Sequence, residues 1–290
     1  MKPDVHLILG SGGARGVAHI AVIEGLENDG YKIIEVIGCS MGAVIGGIYA
    51  AGHLKEYKEW MLNLTRREVF DLLDFTFTKQ GFVKGEKIFE KHKQMTGNLN
   101  IEDFPIPFTA VATDMKNHEE VYYTSGDLYK ALRASVAIPG FIVPVVQDGK
   151  VLVDGGVSNP LPINLVNKKE GAITVAVDLN AKASNKVMIA KKRKHKTEVQ
   201  KWFENLLPEN ILENHLKEEE KNDDVYSLIG LMESSFSLTQ DKLTSLMLQL
   251  HQPDVLINIP RNTANTFDFE KAKDIYKIGK EAYLDSIKTI

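Results

Sequence analysis

The sequence predicts a three-layer α/β/α fold built on a mostly parallel sheet. Short apolar runs typical of buried strands alternate with longer helical runs along most of the 290 residues, which indicates a parallel sheet covered on both faces. Glycine-rich turns follow the first two strands, and each turn leads directly into a helix. A chain of this length that is 43% hydrophobic can bury one large core with an appended region, or form two modest domains.

The amino-terminal elements surround the two turns. Strands are predicted over 4–10 and 33–39, and helices over 17–29 and 41–51. One face of the second helix carries only small residues, which predicts very close packing because glycine otherwise destabilises a helix interior by about 1 kcal/mol. These small residues are Ala43, Gly46, Gly47, Ala50 and Ala51.

The remaining elements continue the alternation. Strands are predicted over 108–113, 120–124, 143–147, 151–153, 173–179 and 255–259, and helices over 84–96, 127–135, 162–169 and 269–287. Two further helical stretches, 226–232 and 238–250, are rich in leucine and methionine. They either join the core or form a lid over an apolar site.

Two blocks of opposite charge interrupt this pattern. Residues 182–201 hold eight lysines or arginines and one acid, and residues 204–224 hold eight acids and two lysines. The blocks are either a solvated excursion or, on the basic side, a face for anionic lipid head groups. The basic residues for such a contact are Lys191, Lys192, Arg193 and Lys194. We expect residues 5–170 to form the core and 171–290 to complete the fold, with a charged and helical excursion at about 182–250.

The composition excludes several classes of protein. A net charge of −4 does not suit nucleic-acid binding, which needs a positive excess. No apolar run approaches the roughly 18 residues of a membrane helix, and the amino-terminal run is too short for a signal peptide, so a cytoplasmic location is expected. The single cysteine, Cys39, excludes an internal disulfide and a thiolate zinc cluster, and the eight histidines show no paired ligand spacing. Neither a metal nor a cofactor is predicted.

A serine lies between two glycines on the second strand-helix turn, in the run Gly38-Cys39-Ser40-Met41-Gly42. Glycines on both sides relieve the crowding of a sharp turn, so the hydroxyl of Ser40 can project from the backbone as a nucleophile. The pattern alone is weak, because it also occurs in ordinary loops. A strand before it and a helix after it favour the nucleophile.

The first turn, Gly10-Ser11-Gly12-Gly13-Ala14-Arg15-Gly16, supplies free backbone amides before a helix. Such a turn binds either a nucleotide phosphate or the oxyanion of an acyl-transfer reaction. Arg15 stands where a dinucleotide-binding loop has its third glycine, which disfavours the phosphate. The amides of Gly12 and Gly13 are therefore the candidate oxyanion hole. Arg15 either holds the loop through a backbone group or merely begins the helix.

The base that would activate Ser40 is harder to identify. Histidines downstream of an acid would complete a Ser-His-Asp triad, but the candidates His195, His215 and His251 lie in the charged excursion or at its edge. Asp154 follows a strand directly and precedes two glycines, which is typical of a site residue but also of a plain turn. Asp178 ends another strand and is the rival carboxylate.

Taken together and in this order, the motifs over about residues 5–170 resemble those of patatin-like phospholipases, especially the short bacterial members. They are the glycine-rich turn at 10–16, the Gly-x-Ser-x-Gly turn at 38–42, Ala134-Ser135-x-Ala137-x-Pro139-x-Phe141, Asp154-Gly155-Gly156 and Asn159-Pro160. Ser11 departs from the pattern, because many relatives have another glycine there. Residues 182–250 carry no motif of the family that we can identify.

The resemblance implies a Ser-Asp dyad in place of a triad. Ser40 would be the nucleophile, Asp154 the base, and the amides of Gly12 and Gly13 the oxyanion hole. Cys39 would be a small buried residue. The implied activity is hydrolysis of lipid esters, in phospholipids or lysophospholipids, through an acyl-enzyme.

Two other functions remain open from the sequence. One is a histidine-dependent esterase, and the other is a regulatory or binding protein that has the fold without turnover. Head group, acyl length, positional preference and oligomeric state have no sequence signal.

Overall fold

The computed structural model describes residues 2–78, 81–183 and 228–288. The elements in chain order are β1 (Asp4–Leu9), α1 (Val17–Asn28), β2 (Lys32–Cys39), α2 (Met41–Ala50), α3 (Leu54–Leu62), α4 (Arg66–Leu72), β3 (Phe75–Thr78), β4 (Gly81–Val83), α5 (Glu86–Thr96), β5 (Phe108–Asp114), β6 (Glu119–Tyr123), α6 (Leu128–Ser135), β7 (Val145–Gln147), β8 (Lys150–Asp154), β9 (Ile173–Ala181), α7 (Leu228–Leu250), β10 (Val255–Pro260) and α8 (Ala272–Ile287).

Eight strands form one mixed sheet in the order β10-β9-β1-β2-β5-β8-β7, with β6 also paired to β5. The five strands from β10 to β5 are parallel. β6 and β8 run antiparallel to β5, and β7 runs antiparallel to β8. β3 and β4 form a separate hairpin. Strands β9 and β10 come from the second part of the chain and extend the sheet that the first part begins.

Alternating side chains of β1 pack into two separate cores, one on each face of the sheet. Leu7 and Leu9 of β1 belong to the larger core, which also contains apolar residues of α1, α2 and α8. Ile8 points to the other face and packs with Leu161, Ile163 and Leu248 of α7. A strand with apolar residues on both faces must be covered on both sides. The predicted three-layer α/β/α architecture is confirmed.

The small-residue face of α2 packs closely against the sheet and α6, where there is no room for side chains at its two glycines. A Cβ atom on Gly46 would stand 2.7 Å from Val36 Cγ1 of β2, and one on Gly47 would stand 2.9 Å from Leu128 Cδ1. Both separations are shorter than carbon atoms tolerate. The two glycines therefore allow α2 to lie close to β2 and α6.

The helix predicted over 162–169 is wrong. Only a 3₁₀ turn, Ile163–Leu165, forms there. Pro160 and Pro162 lack amide donors, and Leu161 and Ile163 are held against Ile8 of the sheet, so no longer helix forms in this segment.

The two leucine-rich stretches are one continuous helix, α7, although 226 and 227 lie outside the described residues. The basic and acidic blocks lie largely outside the described residues, as do Lys191, Lys192, Arg193, Lys194, His195 and His215. None of the helices in the described ranges has an apolar run sufficient to cross a bilayer.

Candidate active site

Ser40 occupies the turn between β2 and α2 in a conformation that non-glycine residues rarely adopt, with φ of 56°. The flanking glycines allow this turn. A Cβ atom on Gly42 would lie 2.1 Å from Leu9 O, and one on Gly38 would lie 2.5 Å from Gly42 O. Because neither position has room for a side chain, β1, β2 and α2 can meet closely at Ser40.

Asp154 reaches this turn because β2 and β8 follow one another along one edge of β5. On one edge β5 pairs with β6 through residues 110–114, and on the other it pairs with β2 through 108–111 and with β8 through 112–114. β2 leaves that edge at its last residue, and β8 arrives there from the opposite direction. The last residue of β8, Asp154, therefore stands beside Ser40.

The two side chains form a direct hydrogen bond. Ser40 Oγ donates to Asp154 Oδ2 at 2.6 Å, and the amide of Gly156 donates to Oδ1 at 2.7 Å. Both residues are almost fully buried, at 2% and 1% exposed. Burial raises the pKa of Asp154 to about 7, although both hydrogen bonds oppose that rise. The carboxylate is therefore a much stronger base than an exposed aspartate.

The backbone of Ser40 is held by Ser135, which lies at the end of α6. The amide of Ser40 donates to Ser135 Oγ at 2.9 Å, and that hydroxyl donates to Val111 O at 2.6 Å. Ser135 is part of the motif at 134–141, but this contact could not be predicted from the motif. The contact stabilises the strained turn from outside the chain segment that forms it.

The glycine-rich turn approaches the same point from β1. The amide of Ser11 donates to Pro160 O and that of Ala14 donates to Thr266 O, both at 2.9 Å. Among the described residues no acceptor is found for the amides of Gly12 and Gly13, which lie between them. Gly13 has φ of 55° and lines the same cavity as Ser40. Two free donors therefore remain in this loop.

Arg15 holds the loop against β9 and the segment after β10. Its guanidinium donates to Leu179 O at 2.9 Å, to Ala264 O at 2.7 Å and to Asn180 Oδ1 at 2.9 Å. Asn180 Nδ2 in turn donates to Ser11 O at 2.8 Å. Arg15 thus joins three separate parts of the chain, and of the two roles open to it the contacts favour support of the loop.

Ser11, the departure from the family pattern, contacts α7. Gln240 Nε2 donates to Ser11 Oγ at 3.1 Å, and both residues are buried. A Cβ atom on Gly156, beside Asp154, would lie 3.0 Å from the same hydroxyl. The serine therefore connects the loop to α7, which no pattern in the sequence indicated.

A cavity extends from Ser40 and Gly13. No Asp, Glu, Lys or Arg lines it among the described residues. The lining side chains are nearly all apolar and come mainly from α2 to α5 and the segment after β10: Val44, Met61, Val69, Leu72, Ile88, Phe89, Ile142 and Phe267. The cavity suits a hydrocarbon chain next to the serine.

The helices α3 and α4, which supply much of this lining, were not predicted from the sequence, although two signals were present. Leu54, Tyr57 and Met61 repeat at helical spacing and are buried on one face of α3. Thr65 and Glu68 form a capping box at the start of α4.

Among the described residues, the other two candidate side chains, those of Asp178 and His251, form no hydrogen bond with Ser40. Asp178 accepts the amide of Asn180 at 2.8 Å and neighbours Arg15 and Arg261. His251 is exposed just after α7. Cys39 is buried, and burial together with the Asp154 carboxylate raises the pKa of its thiol. In the part of the chain that the structure describes, no group of three or more His, Cys, Asp or Glu could hold a metal.

These features define an α/β protein with a buried serine-carboxylate pair beside an apolar cavity. The patatin-like phospholipase family matches residues 7–166, more than half of the chain. The chain belongs to this family.

Several relatives are similar to this chain over about three fifths of its length. An uncharacterized NTE family protein of Mycobacterium tuberculosis is 46% identical over 62% of this chain and 50% of its own length. Lysophospholipase NTE1 of Yarrowia lipolytica is 30% identical over 61% of this chain and 13% of its own. The chain thus spans half or less of these curated relatives. The crystal structure of VipD from Legionella pneumophila gives a TM-score of 0.48 at 14% identity, over 99% of this chain and 67% of its own.

Proposed function

We propose that this protein is a serine acyl hydrolase that cleaves carboxylic esters of lipids, phospholipid or lysophospholipid, through an acyl-enzyme. The observation that carries the proposal is the 2.6 Å hydrogen bond from Ser40 Oγ to Asp154 Oδ2 at one end of an apolar cavity. Family membership and the lysophospholipase name of one relative support the choice of lipid esters.

In the first half of the reaction, Ser40 Oγ attacks the ester carbonyl carbon and its proton passes to Asp154 Oδ2. The carbonyl oxygen becomes an oxyanion, which accepts hydrogen bonds from the amides of Gly12 and Gly13. The tetrahedral intermediate then collapses. The bond to the leaving alcohol breaks, Asp154 returns the proton to that alcohol oxygen, and the acyl group stays on Ser40.

In the second half, water replaces the alcohol. Asp154 takes a proton from the water as its oxygen attacks the acyl carbon, and the same two amides stabilise the second oxyanion. Collapse breaks the bond to Ser40 Oγ, which regains the proton from Asp154, and a fatty acid leaves. A carboxylate with a pKa of about 7 can both accept and return this proton near neutral pH.

The proposal is tested with lysophosphatidylcholine and phosphatidylcholine as substrates, and with a fluorophosphonate probe that labels activated serines. The full chain should release fatty acid and be labelled, and Ser40→Ala should do neither. The matched control is Ser158→Ala, because Ser158 is another serine near Asp154, hydrogen-bonded at 2.7 Å to Thr113 Oγ1. That variant should keep both reactions.

Other outcomes point to the two alternative functions. Absence of both labelling and turnover in a folded chain would support a binding protein without catalysis. Loss of activity on replacing His195, His215 or His251 would support a histidine-dependent esterase. Full activity in the Ser40→Ala variant would contradict any function based on this site.

We also propose that the protein meets its substrate as a peripheral protein at the cytoplasmic surface of a membrane. The basic run Lys191, Lys192, Arg193 and Lys194 suits anionic head groups, each charge adding about 1 kcal/mol near such a surface. α7 carries four exposed leucines within about a third of its circumference, which suits contact with acyl chains. They are Leu231, Leu238, Leu246 and Leu250.

Cosedimentation with vesicles tests this contact. Binding should be stronger when the vesicles contain phosphatidylserine, should weaken as salt rises, and should fall when the four basic residues are changed to Gln. Leu238→Ser with Leu246→Ser should weaken binding at every salt concentration. Equal binding to neutral and anionic vesicles would contradict the basic contact.

A further inference from the structure

His92 of α5 is a polar residue inside the apolar cavity. The residue is 1% exposed and lines the same cavity as Ser40. Among the described residues neither Nδ1 nor Nε2 has a hydrogen-bond partner. Buried polar atoms in native proteins nearly always have one, so this histidine is an exception that needs an explanation.

Aromatic rings surround His92. The ring centroids of Tyr57, Trp60 and Phe89 lie 5.0, 5.1 and 5.8 Å away, each nearly perpendicular to the imidazole. Burial lowers the pKa of His92 to about 3, so the ring is neutral near pH 7. A neutral imidazole offers one N–H donor and one nitrogen acceptor. An aromatic face can accept the N–H weakly, but it offers nothing to the acceptor nitrogen.

We propose that His92 binds an oxygen substituent, a hydroxyl or a keto group, on the acyl chain of the substrate. This inference rests on the proposed hydrolysis of lipid esters and adds a preference within that class. A hydroxyl satisfies either nitrogen of the imidazole, and a keto oxygen satisfies the donor. An unsubstituted chain satisfies neither nitrogen and leaves the buried polar atoms without partners.

The residues that line the cavity explain why the substrate group that binds His92 would lie on the acyl chain and not in the head group. Phosphate and ammonium groups need charged partners when they are buried, and no charged side chain lines the cavity among the described residues. The polar side chains of the lining are Ser40, His92 and Thr266. Ser40 faces the ester, so His92 is available for a second polar atom farther along the substrate.

A hydroxyl scan of the substrate tests the preference. Lysophospholipids with palmitoyl chains that carry one hydroxyl at successive carbons are compared with the unsubstituted chain, and kcat/KM is measured for each. The protein should prefer a substrate with the hydroxyl at one particular carbon by about ten-fold in kcat/KM, the value expected for one neutral hydrogen bond. If no position exceeds the unsubstituted chain, the inference is overturned without the need for any variant.

Substitution of His92 assigns the preference to this side chain. His92→Phe keeps a planar ring but removes both nitrogens, so the ratio of kcat/KM for the hydroxylated acyl chain to kcat/KM for the unsubstituted one should fall from about ten to about one. His92→Gln keeps a donor and an acceptor and should restore part of the preference. If His92→Phe lowers kcat/KM equally for the hydroxylated and the unsubstituted substrates, the role of His92 is purely structural and the inference is contradicted.

A binding measurement separates failure of this inference from failure of the proposed reaction. The chain has two tryptophans, Trp60 and Trp202, and Trp60 stacks edge-on against His92. In a Ser40→Ala, Trp202→Phe background, hydroxypalmitate should change the fluorescence of Trp60 at about ten-fold lower concentration than palmitate does. Equal affinities would contradict the role of His92 even if hydrolysis is observed. Unequal affinities without hydrolysis would support the binding site and contradict the reaction.

Discussion

Asp114 and Asp154 are two buried carboxylates on neighbouring antiparallel strands, and their surroundings differ in the number of hydrogen-bond donors. Asp114 accepts three bonds, from the amides of Lys116 and Val151 at 3.0 and 3.1 Å and from Asn117 Nδ2 at 2.6 Å. Asp154 accepts two, one of them from the hydroxyl of Ser40. The two carboxylates lie on the paired strands β5 and β8, but they differ in how readily they bind a proton.

The pKa values of the two groups move in opposite directions. Burial would raise the pKa of Asp114, but the hydrogen bonds outweigh it and hold that pKa below its usual range. For Asp154 burial outweighs the two hydrogen bonds and raises the pKa to about 7. A buried carboxylate with enough donors is a structural anion, whereas one with a single amide and a serine hydroxyl can accept a proton.

The largest expected effect comes from Asp154→Asn, with Asp114→Asn as its matched control. Asp154→Asn removes the proposed base and should lower kcat between about 10²- and 10⁴-fold while the chain stays folded. Asp114→Asn should leave kcat within a few-fold and lower Tm, because an amide cannot accept all three donors. Esterase rates and thermal unfolding of both variants check this pair. Equal loss of activity in the two variants would contradict the different roles given to Asp114 and Asp154.

The pH dependence of activity is the next largest effect. In the proposed reaction Asp154 is ionised when it accepts the proton of Ser40, so kcat/KM should fall about ten-fold per pH unit below a pKa of about 7 and level off above it. Measurements from pH 5 to 9 on a substrate with a constant ionisation state check this. A profile that stays flat down to pH 5 would contradict a raised pKa at this site.

The stability of the fold should depend on pH through the same group. In the folded protein the pKa of Asp154 is about 7, whereas the unfolded value is 3.8, so between these values the folded state holds the proton more tightly. The free energy of unfolding therefore decreases as pH rises through this window, by up to about 4 kcal/mol. Asp154→Asn should lack this decrease, which urea unfolding at pH 4.5 and 7.5 can measure.

Asp114 should show the opposite dependence. Its lowered pKa contributes stability that is present above the unfolded value and is lost as pH falls through the folded value. In Asp114→Asn the acid-induced loss of stability should therefore be smaller than in the parent protein. An equal loss in both chains would mean that the three donors do not stabilise the anion.

The smallest expected effect is that of Asn117→Ala. This change removes one of the three donors to Asp114 and leaves the two amides in place. The pKa of Asp114 should rise, Tm should fall slightly, and esterase activity should stay unchanged. Titration of the carboxyl carbon of Asp114 by NMR checks the pKa. No shift on removal of Asn117 would argue that burial and backbone donors alone determine that group.

Elements with a strong local pattern were predictable from the sequence. The first two strands and helices form within two residues of their predicted bounds, because apolar runs and glycine turns define them locally. The segment 162–169 was mispredicted, since its burial is confined to the residues next to Leu161 that contact the sheet and does not follow helical periodicity. α3 and α4 were missed although capping and spacing signals were present.

The sequence by itself determined the local backbone at both turns. The glycines at 38 and 42 leave room for the strained conformation of Ser40, and Gly13 adopts a positive φ of 55° in the first turn, because a residue without a Cβ avoids steric clashes at its own position. Tertiary structure alone decided that Asp154, 114 residues from Ser40, meets it, because β8 takes the edge of β5 that β2 leaves. The raised pKa of Asp154 has the same origin, since desolvation depends on everything packed around a group.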